Sequence, residues 1–189
     1  MTRFLRQICV GSAIACCATS ASAELSAEDV WGDWKSYITG FGYEVSGVEE
    51  RDGDVLSVTG VTFSSTGAAV AGGASISIDR IELQEQSDGT VVVDLPALMP
   101  IEMTAPNETG GVTRVSMDYR QSGMELVASG APDTINYNYS VDTITLETTG
   151  IEMNGQVMPD GTNDFEVTIQ DVTGTSTMAL DSLRRYVQS

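Results

Sequence analysis

Leu56-Ser57-Val58-Thr59-Gly60-Val61-Thr62-Phe63 sets apolar side chains at i, i+2, i+5 and i+7, with polar or small residues between them. The same spacing returns as Ile76, Ile78, Ile81, Leu83 and as Tyr139, Val141, Ile144, Leu146. A last copy, Val167, Ile169, Val172, ends at Gly174. Ser or Thr stands at i+1 each time (Ser57, Ser77, Ser140, Thr168), and a polar residue at i+3 (Thr59, Asp79, Asp142, Gln170). Side chains of a strand alternate with period two. A gap of three therefore turns the apolar set to the other face unless the strand bulges or bends. The spacing predicts a curved antiparallel meander sheet with bulged strands and an apolar inner face. The copies are unevenly spaced, which excludes a simple solenoid repeat.

Working outward, strand-like runs lie near 43–49, 55–64, 74–86, 90–95, 101–105, 112–121, 124–129, 134–148 and 165–173. Turn dipeptides separate many of them: Asp52-Gly53, Asp88-Gly89, Gly110-Gly111, Ser122-Gly123 and Asp160-Gly161. Ala68–Gly73 is small and apolar, and reads as a loop or bulged edge. Ahead of the strands, one amphipathic helix is legible over about 27–39. Ser26 and Asp29 suit a capping box, and Val30, Trp31, Trp34, Tyr37 and Ile38 fall on one face. Glu28, Asp29, Asp33 and Lys35 fall mostly elsewhere, and Gly40 suits the stop. The fold class is thus mainly β (α+β), a sheet packed by one N-terminal helix. Residues 24–189 form a single β-rich domain, and no long linker divides them.

Residues 1–23 read as a signal peptide. Arg3 and Arg6 precede the short apolar run Ile8–Ala18, and Ala21-Ser22-Ala23 is the small-x-small pattern of a cleavage site. The run is far shorter than the roughly 20 residues needed to span a bilayer. Cleavage after Ala23 predicts a periplasmic or secreted protein with no transmembrane segment in its mature chain. The alternative is a lipoprotein attached through Cys16, since Ala13-Ile14-Ala15-Cys16 loosely matches a lipobox. All 3 cysteines lie at or before Cys17, so a chain cut after Ala23 forms no disulfide and depends on its core for stability.

Glu24-Leu25-Ser26-Ala27-Glu28-Asp29-Val30-Trp31, Trp34 and Phe41-Gly42-Tyr43-Glu44-Val45-Ser46-Gly47 together resemble the start of an uncharacterised family of exported alphaproteobacterial proteins, a domain of unknown function. The stretch from Asp88-Gly89-Thr90 to Leu95-Pro96, and Tyr137-Asn138-Tyr139-Ser140, extend the likeness over most of the mature chain. Family members are often considerably longer. The resemblance therefore implies a short form or a fragment, ending in a segment (Leu180–Val187) expected to open another helix. The strand spacing is also distantly similar to AsmA-like envelope proteins, whose curved sheets carry lipids. Neither likeness assigns a role to any residue.

The chain contains 27 acidic and 9 basic residues, a net charge of −18, and no histidine. Arg3 and Arg6 belong to the signal. That leaves Lys35, Arg51, Arg80, Arg114, Arg120 and the pair Arg184-Arg185, with no basic cluster. Nucleic acid is excluded as a partner, and an anionic membrane surface would repel the chain. Without histidine or a mature cysteine, the commonest general base, metal ligand and thiol nucleophile are missing. Lys35 is the only mature lysine, and no Ser-x-x-Lys motif precedes it. No catalytic residue, metal ligand or cofactor site is assigned.

The expected function is a non-enzymatic periplasmic binding module of the cell envelope, with a lipid or an envelope protein as partner. If the sheet opens into a groove, Met99, Met103, Met117, Met124 and Met178 are where a lipid tail would lie. One alternative is a carboxylate-dependent hydrolase of an envelope glycan, which needs two facing acids in a cleft. Another is a calcium-stabilised structural module using Asp52-Gly53-Asp54 or the loop Asp160–Asp164.

Overall fold

The computed structural model describes residues 24–67, 70–107, 110–159, 161, 165–180 and 186–188. The signal segment Met1–Ala23 with Cys16, the pair Arg184-Arg185 and most of the loop Asp160–Asp164 lie outside the described residues. The chain opens with helix α1 (Ala27–Gly40). Eleven strands follow: β1 (Glu44–Asp52), β2 (Val55–Gly67), β3 (Val70–Glu85), β4 (Val91–Asp94), β5 (Leu98–Pro106), β6 (Val112–Ser122), β7 (Glu125–Ala131), β8 (Thr134–Met153), β9 (Gln156–Val157), β10 (Glu166–Leu180) and β11 (Tyr186–Gln188). All belong to one antiparallel sheet, mainly a meander, with α1 packed against it.

The meander forks at its centre. β3 pairs β4 over Glu82–Glu85 and β5 over Gly73–Ile76. β8 likewise pairs β7 over its first half and β6 over its second. Two ribbons, β4–β7 and β5–β6, therefore bridge the same pair of long strands. Gln121 closes the seam where they part. Its amide donates to the Leu95 and Pro96 carbonyls at 3.0 and 3.3 Å, and its N–H donates to Ala97 O at 2.9 Å.

The four copies of the i, i+2, i+5, i+7 spacing are cross-strand partners in two pairs. Leu56, Val58, Val61 and Phe63 of β2 lie opposite Leu83, Ile81, Ile78 and Ile76 of β3. Tyr139, Val141, Ile144 and Leu146 of β8 lie opposite Gly174, Val172, Ile169 and Val167 of β10. Each gap of three thus meets another gap of three. One strand of each pair carries a positive φ there, Gly60 at 61° and Asp171 at 53°. Asp79 and Asp142 stand opposite them by register. The kink restores the apolar set to its original side, so Leu56, Val58, Val61 and Phe63 all reach one core. Gly174 lacks an apolar side chain because the Tyr139 ring lies over it, where a Cβ would overlap that ring.

Helix α1 forms as its sequence predicts. Asp29 N–H donates to Ser26 Oγ at 3.1 Å, and Ser26 N–H donates to the Asp29 carboxylate at 3.0 Å, completing the capping box. Val30 and Trp31 are buried, and Trp34, Tyr37 and Ile38 pack on the same core. Asp33 departs from the expected polar face. It is buried and accepts the Tyr137 hydroxyl at 2.7 Å. It stands three residues after Val30, on the stripe that meets the sheet, and the tyrosine supplies a donor there.

Other differences are local. Val70–Gly73, read as a loop or bulged edge, belongs to β3 because Gly67 and Thr104 give it partners. β8 and β10 outrun their expected lengths because each is paired along its whole extension. The segment expected to open a helix contributes Tyr186–Gln188 as a strand, paired with Met178–Leu180; its residues 181–185 lie outside the described residues. Asn154-Gly155, both with positive φ, makes the β8–β9 turn. It is an Asn-Gly signal that the turn reading omitted.

The kink gives an asymmetric expectation. Gly60→Ala places a Cβ in the left-handed region and is expected to cost about 1–2 kcal/mol. Asp171→Gly removes a side chain from that region and is expected to stay within about 1 kcal/mol of the parent. Urea unfolding of the two variants checks this, and an equal loss at both positions contradicts it.

Candidate functional site

The side of the sheet that faces α1 is its inner face. Residues directly opposite on neighbouring strands share a face, which lets that face be followed beyond the helix. Phe63, Ile76, Ile101 and Met117 form one row across β2, β3, β5 and β6. Met99, Tyr119, Leu146 and Val167 form a second across β5, β6, β8 and β10. Ile144 and Ile169 begin a third. Phe63 belongs to the core under α1, and Ile76 and Met99 pack against it. The further members of these rows do not.

The inner face therefore has two halves. Under α1 lie Leu56, Val58, Ile81, Leu83, Val91, Ala128, Ile135 and Tyr137, all buried. The other half, on β5, β6, the end of β8 and the start of β10, has no helix over it among the described residues. Its side chains are partly or largely open: Ile169 is 51% exposed, Phe165 50%, Met153 40% and Met103 37%. Burial still raises the Tyr119 hydroxyl pKa. The opposite, outer face of these strands is mixed. Arg114 pairs with Glu152 at 3.1 Å, and Arg120 pairs with Asp118 at 2.7 Å and Glu147 at 2.9 Å, beside exposed Leu98, Val112 and Val157. The outer face carries the ion pairs while the inner rows are apolar from strand to strand, so this half of the sheet offers an apolar surface of several strands' width.

The helix is held to its own half by a clasp at its first turn and its middle. Glu49 of β1 accepts both the Trp31 indole N–H and the Lys35 ammonium at 2.7 Å, and Lys35 Nζ sits 5.4 Å from the Trp31 ring. Glu85 of β3 accepts Arg51 and the Ala27 N–H, and Arg51 also reaches Glu28. The Lys35 hydrogen bond, aided by Trp31, holds the Glu49 carboxyl below its usual range. Arg51, aided by the Ala27 N–H, does the same for Glu85. The Arg51 guanidinium is raised in turn, chiefly by Glu85.

The methionines singled out for a lipid tail divide between the halves. Met178 is buried in the core and Met99 packs on it. Met103 and Met117 lie on the uncovered half. Met124 lies at the fork, beside a cleft of about 490 Å³ lined also by Val93, Leu126, Glu82, Asp94 and Glu125. The strongest contributors to the open surface, Ile169 and Phe165, were missed. The alternation on β10 was readable, but nothing local says which part of a face a helix will cover.

The arrangements that the alternatives need are sparse. Glu49, Glu85 and Asp88 are held below the usual carboxylate range, Glu49 by Lys35, Glu85 by Arg51 and Asp88 by the Thr90 hydroxyl. Lys35 is engaged with Glu49 rather than with a serine. Asp52-Gly53-Asp54 forms the β1–β2 turn, where Arg51 Nε donates to Gly53 O at 2.8 Å. Among the described residues no three acidic side chains converge as metal ligands, and no helix is long and apolar enough to cross a membrane. Tyr137 is part of the core, 6.4 Å from Trp34 between ring centroids. Tyr139 stays half open. No family model, curated protein or solved structure matches this chain.

The clasp has a pH signature. Carboxyls whose folded pKa is depressed stabilise the fold above the unfolded value, 4.5 for a glutamate such as Glu49 or Glu85, and that contribution is lost as pH falls through the folded value. Thermal stability is expected to fall progressively below about pH 4.5. In Glu49→Gln/Glu85→Gln the drop between pH 7 and pH 3 is expected to be smaller than in the parent. An equal drop in both proteins, by melting at each pH, contradicts the assignment.

Proposed function

We propose that this chain is a non-enzymatic binding module of the bacterial cell envelope that holds an apolar ligand, an acyl chain, against the uncovered half of its inner face. The observation that carries this reading is the continuous row Met99, Tyr119, Leu146, Val167 with its neighbours Ile144 and Ile169, apolar across four strands, half-buried at its start and open at β10, where Val167 is 39% and Ile169 51% exposed. An acyl chain laid along it gains about 0.8 kcal/mol per buried methylene. Eight methylenes would supply about 6 kcal/mol before the cost of association. The net charge of −18 favours a neutral or cationic polar end on such a ligand. The signal-like segment and the likeness to exported alphaproteobacterial proteins support an envelope location.

The face is tested with a fluorescent fatty-acyl probe titrated against the purified chain. Leu146→Lys places a charge on the open half and is expected to weaken probe binding by at least tenfold, or about 1.4 kcal/mol, with its circular dichroism unchanged. Glu50→Lys, on β1, is expected to leave binding unaltered. A parent chain that fails to bind the probe, or a Leu146→Lys variant that binds it equally well, removes the lipid reading. Location is tested separately by sequencing the protein from the periplasm of expressing cells. A mature N-terminus at Glu24 is expected, and a blocked, acylated Cys16 would establish the lipoprotein alternative.

A further inference from the structure

We infer that the free edge of β10 is a second interaction surface, one that accepts an added strand of alternating apolar and basic residues from a partner protein. β10 pairs with β8 along its length, and β11 reaches just Met178–Leu180 on the other side, so the backbone of Glu166–Gln170 has no second strand beside it among the described residues. The two ends of the sheet differ in how they treat this exposure. β1 is bulged at Gly47, lies against α1 and carries Glu49, Glu50, Arg51 and Asp52 in succession. Such features blunt an edge. β10 instead presents, ahead of its kink at Asp171, the regular run Val167, Thr168, Ile169 and Gln170, with Val167 39% and Ile169 51% exposed and no lysine, arginine or proline in the strand.

The chemistry of the occupant follows from the outer face of the same strands. Asp118, Glu147 and Glu166 stand side by side across β6, β8 and β10. One guanidinium, Arg120, serves the first two, and no basic side chain pairs with Glu166 among the described residues. Like charges directly opposite are unfavourable. The row ends at the open edge, where the next position belongs to an added strand. A lysine or arginine there would complete it, while apolar residues on the strand's other side would cover Val167 and Ile169. A second copy of this chain fits poorly, because each copy carries a net charge of −18. Strand addition of this kind takes affinity from main-chain hydrogen bonds and specificity from alternate side chains. Val167 and Ile169 also end the apolar rows of the inner face, so an added strand and an acyl chain would meet at the β10 border of that face.

The test uses the full chain and a short peptide of alternating valine and lysine, with a valine–glutamate peptide as counterpart. Fluorescence anisotropy reads affinity and hydrogen exchange reads the β10 amides. The expected result is binding of the lysine peptide alone, with slower exchange over Glu166–Gln170. Ile169→Lys and Glu166→Lys are each expected to weaken binding by about tenfold or more, whereas Glu50→Lys, the same charge change on β1, is not. If Ile169→Lys does not fold, the exposed Glu166→Lys decides the outcome. Failure to bind, equal binding of the glutamate peptide, or an equal loss in Glu50→Lys overturns the proposal. So does a dimer in sedimentation that Ile169→Lys dissociates, since the occupant would then be a second copy.

Discussion

The meeting of two kinks across a strand pair is the constraint on which the architecture depends. A single three-residue gap in an otherwise alternating strand would send half of its apolar side chains to solvent. Here Gly60 stands opposite Asp79 and Asp171 opposite Asp142, so both strands of each pair change phase at the same point. The result is a pair of long ladders whose apolar residues stay on one side throughout. That single-sidedness lets β2 and β3 close a core with α1 and lets β8 and β10 carry the same face onward.

A face so extended exceeds what one helix of 14 residues can cover. Helix α1 is tied to one half by Glu49, Glu85 and the buried Asp33–Tyr137 hydrogen bond. These contacts bring together charges and aromatic rings that lie far apart in the chain. The fork adds to the asymmetry. The β4–β7 ribbon completes the covered core, and the β5–β6 ribbon widens the open half. The outer face behind it, where Arg114 and Arg120 pair with three carboxylates, resembles an ordinary solvated sheet surface. The inner face departs from it, because its apolar residues run unbroken from strand to strand.

Much of this is legible in the sequence. The helix, its cap and its aromatic stripe follow from local rules, as do most of the strands and their glycine turns. The phase flip at Leu56–Phe63 was readable as a bend. Its pairing with Ile76–Leu83 was not, since register is a matter of which strands become neighbours. Asp33 was misread because helical spacing allows it on either boundary of the apolar stripe, and only Tyr137, distant in sequence, decides its burial. Ala68–Gly73 looked like a loop because small residues carry little strand signal, yet pairing recruited its latter part. Of the candidate site, the methionines on β5 and β6 were in view, whereas Ile169 and Phe165 were not.

Alternation, turn chemistry and helix capping act over a few residues, and so the sequence by itself determined a kinked, antiparallel, mainly β chain opened by one amphipathic helix. The lack of histidine and the acidic balance likewise needed no structure to narrow its chemistry and its partners. Which half of the sheet the helix shields, where the ribbons fork and which strand is left at an open edge were decided by the tertiary structure alone. Those outcomes depend on contacts between segments far apart in the chain, where several neighbours compete for the same apolar face and local preference does not choose among them.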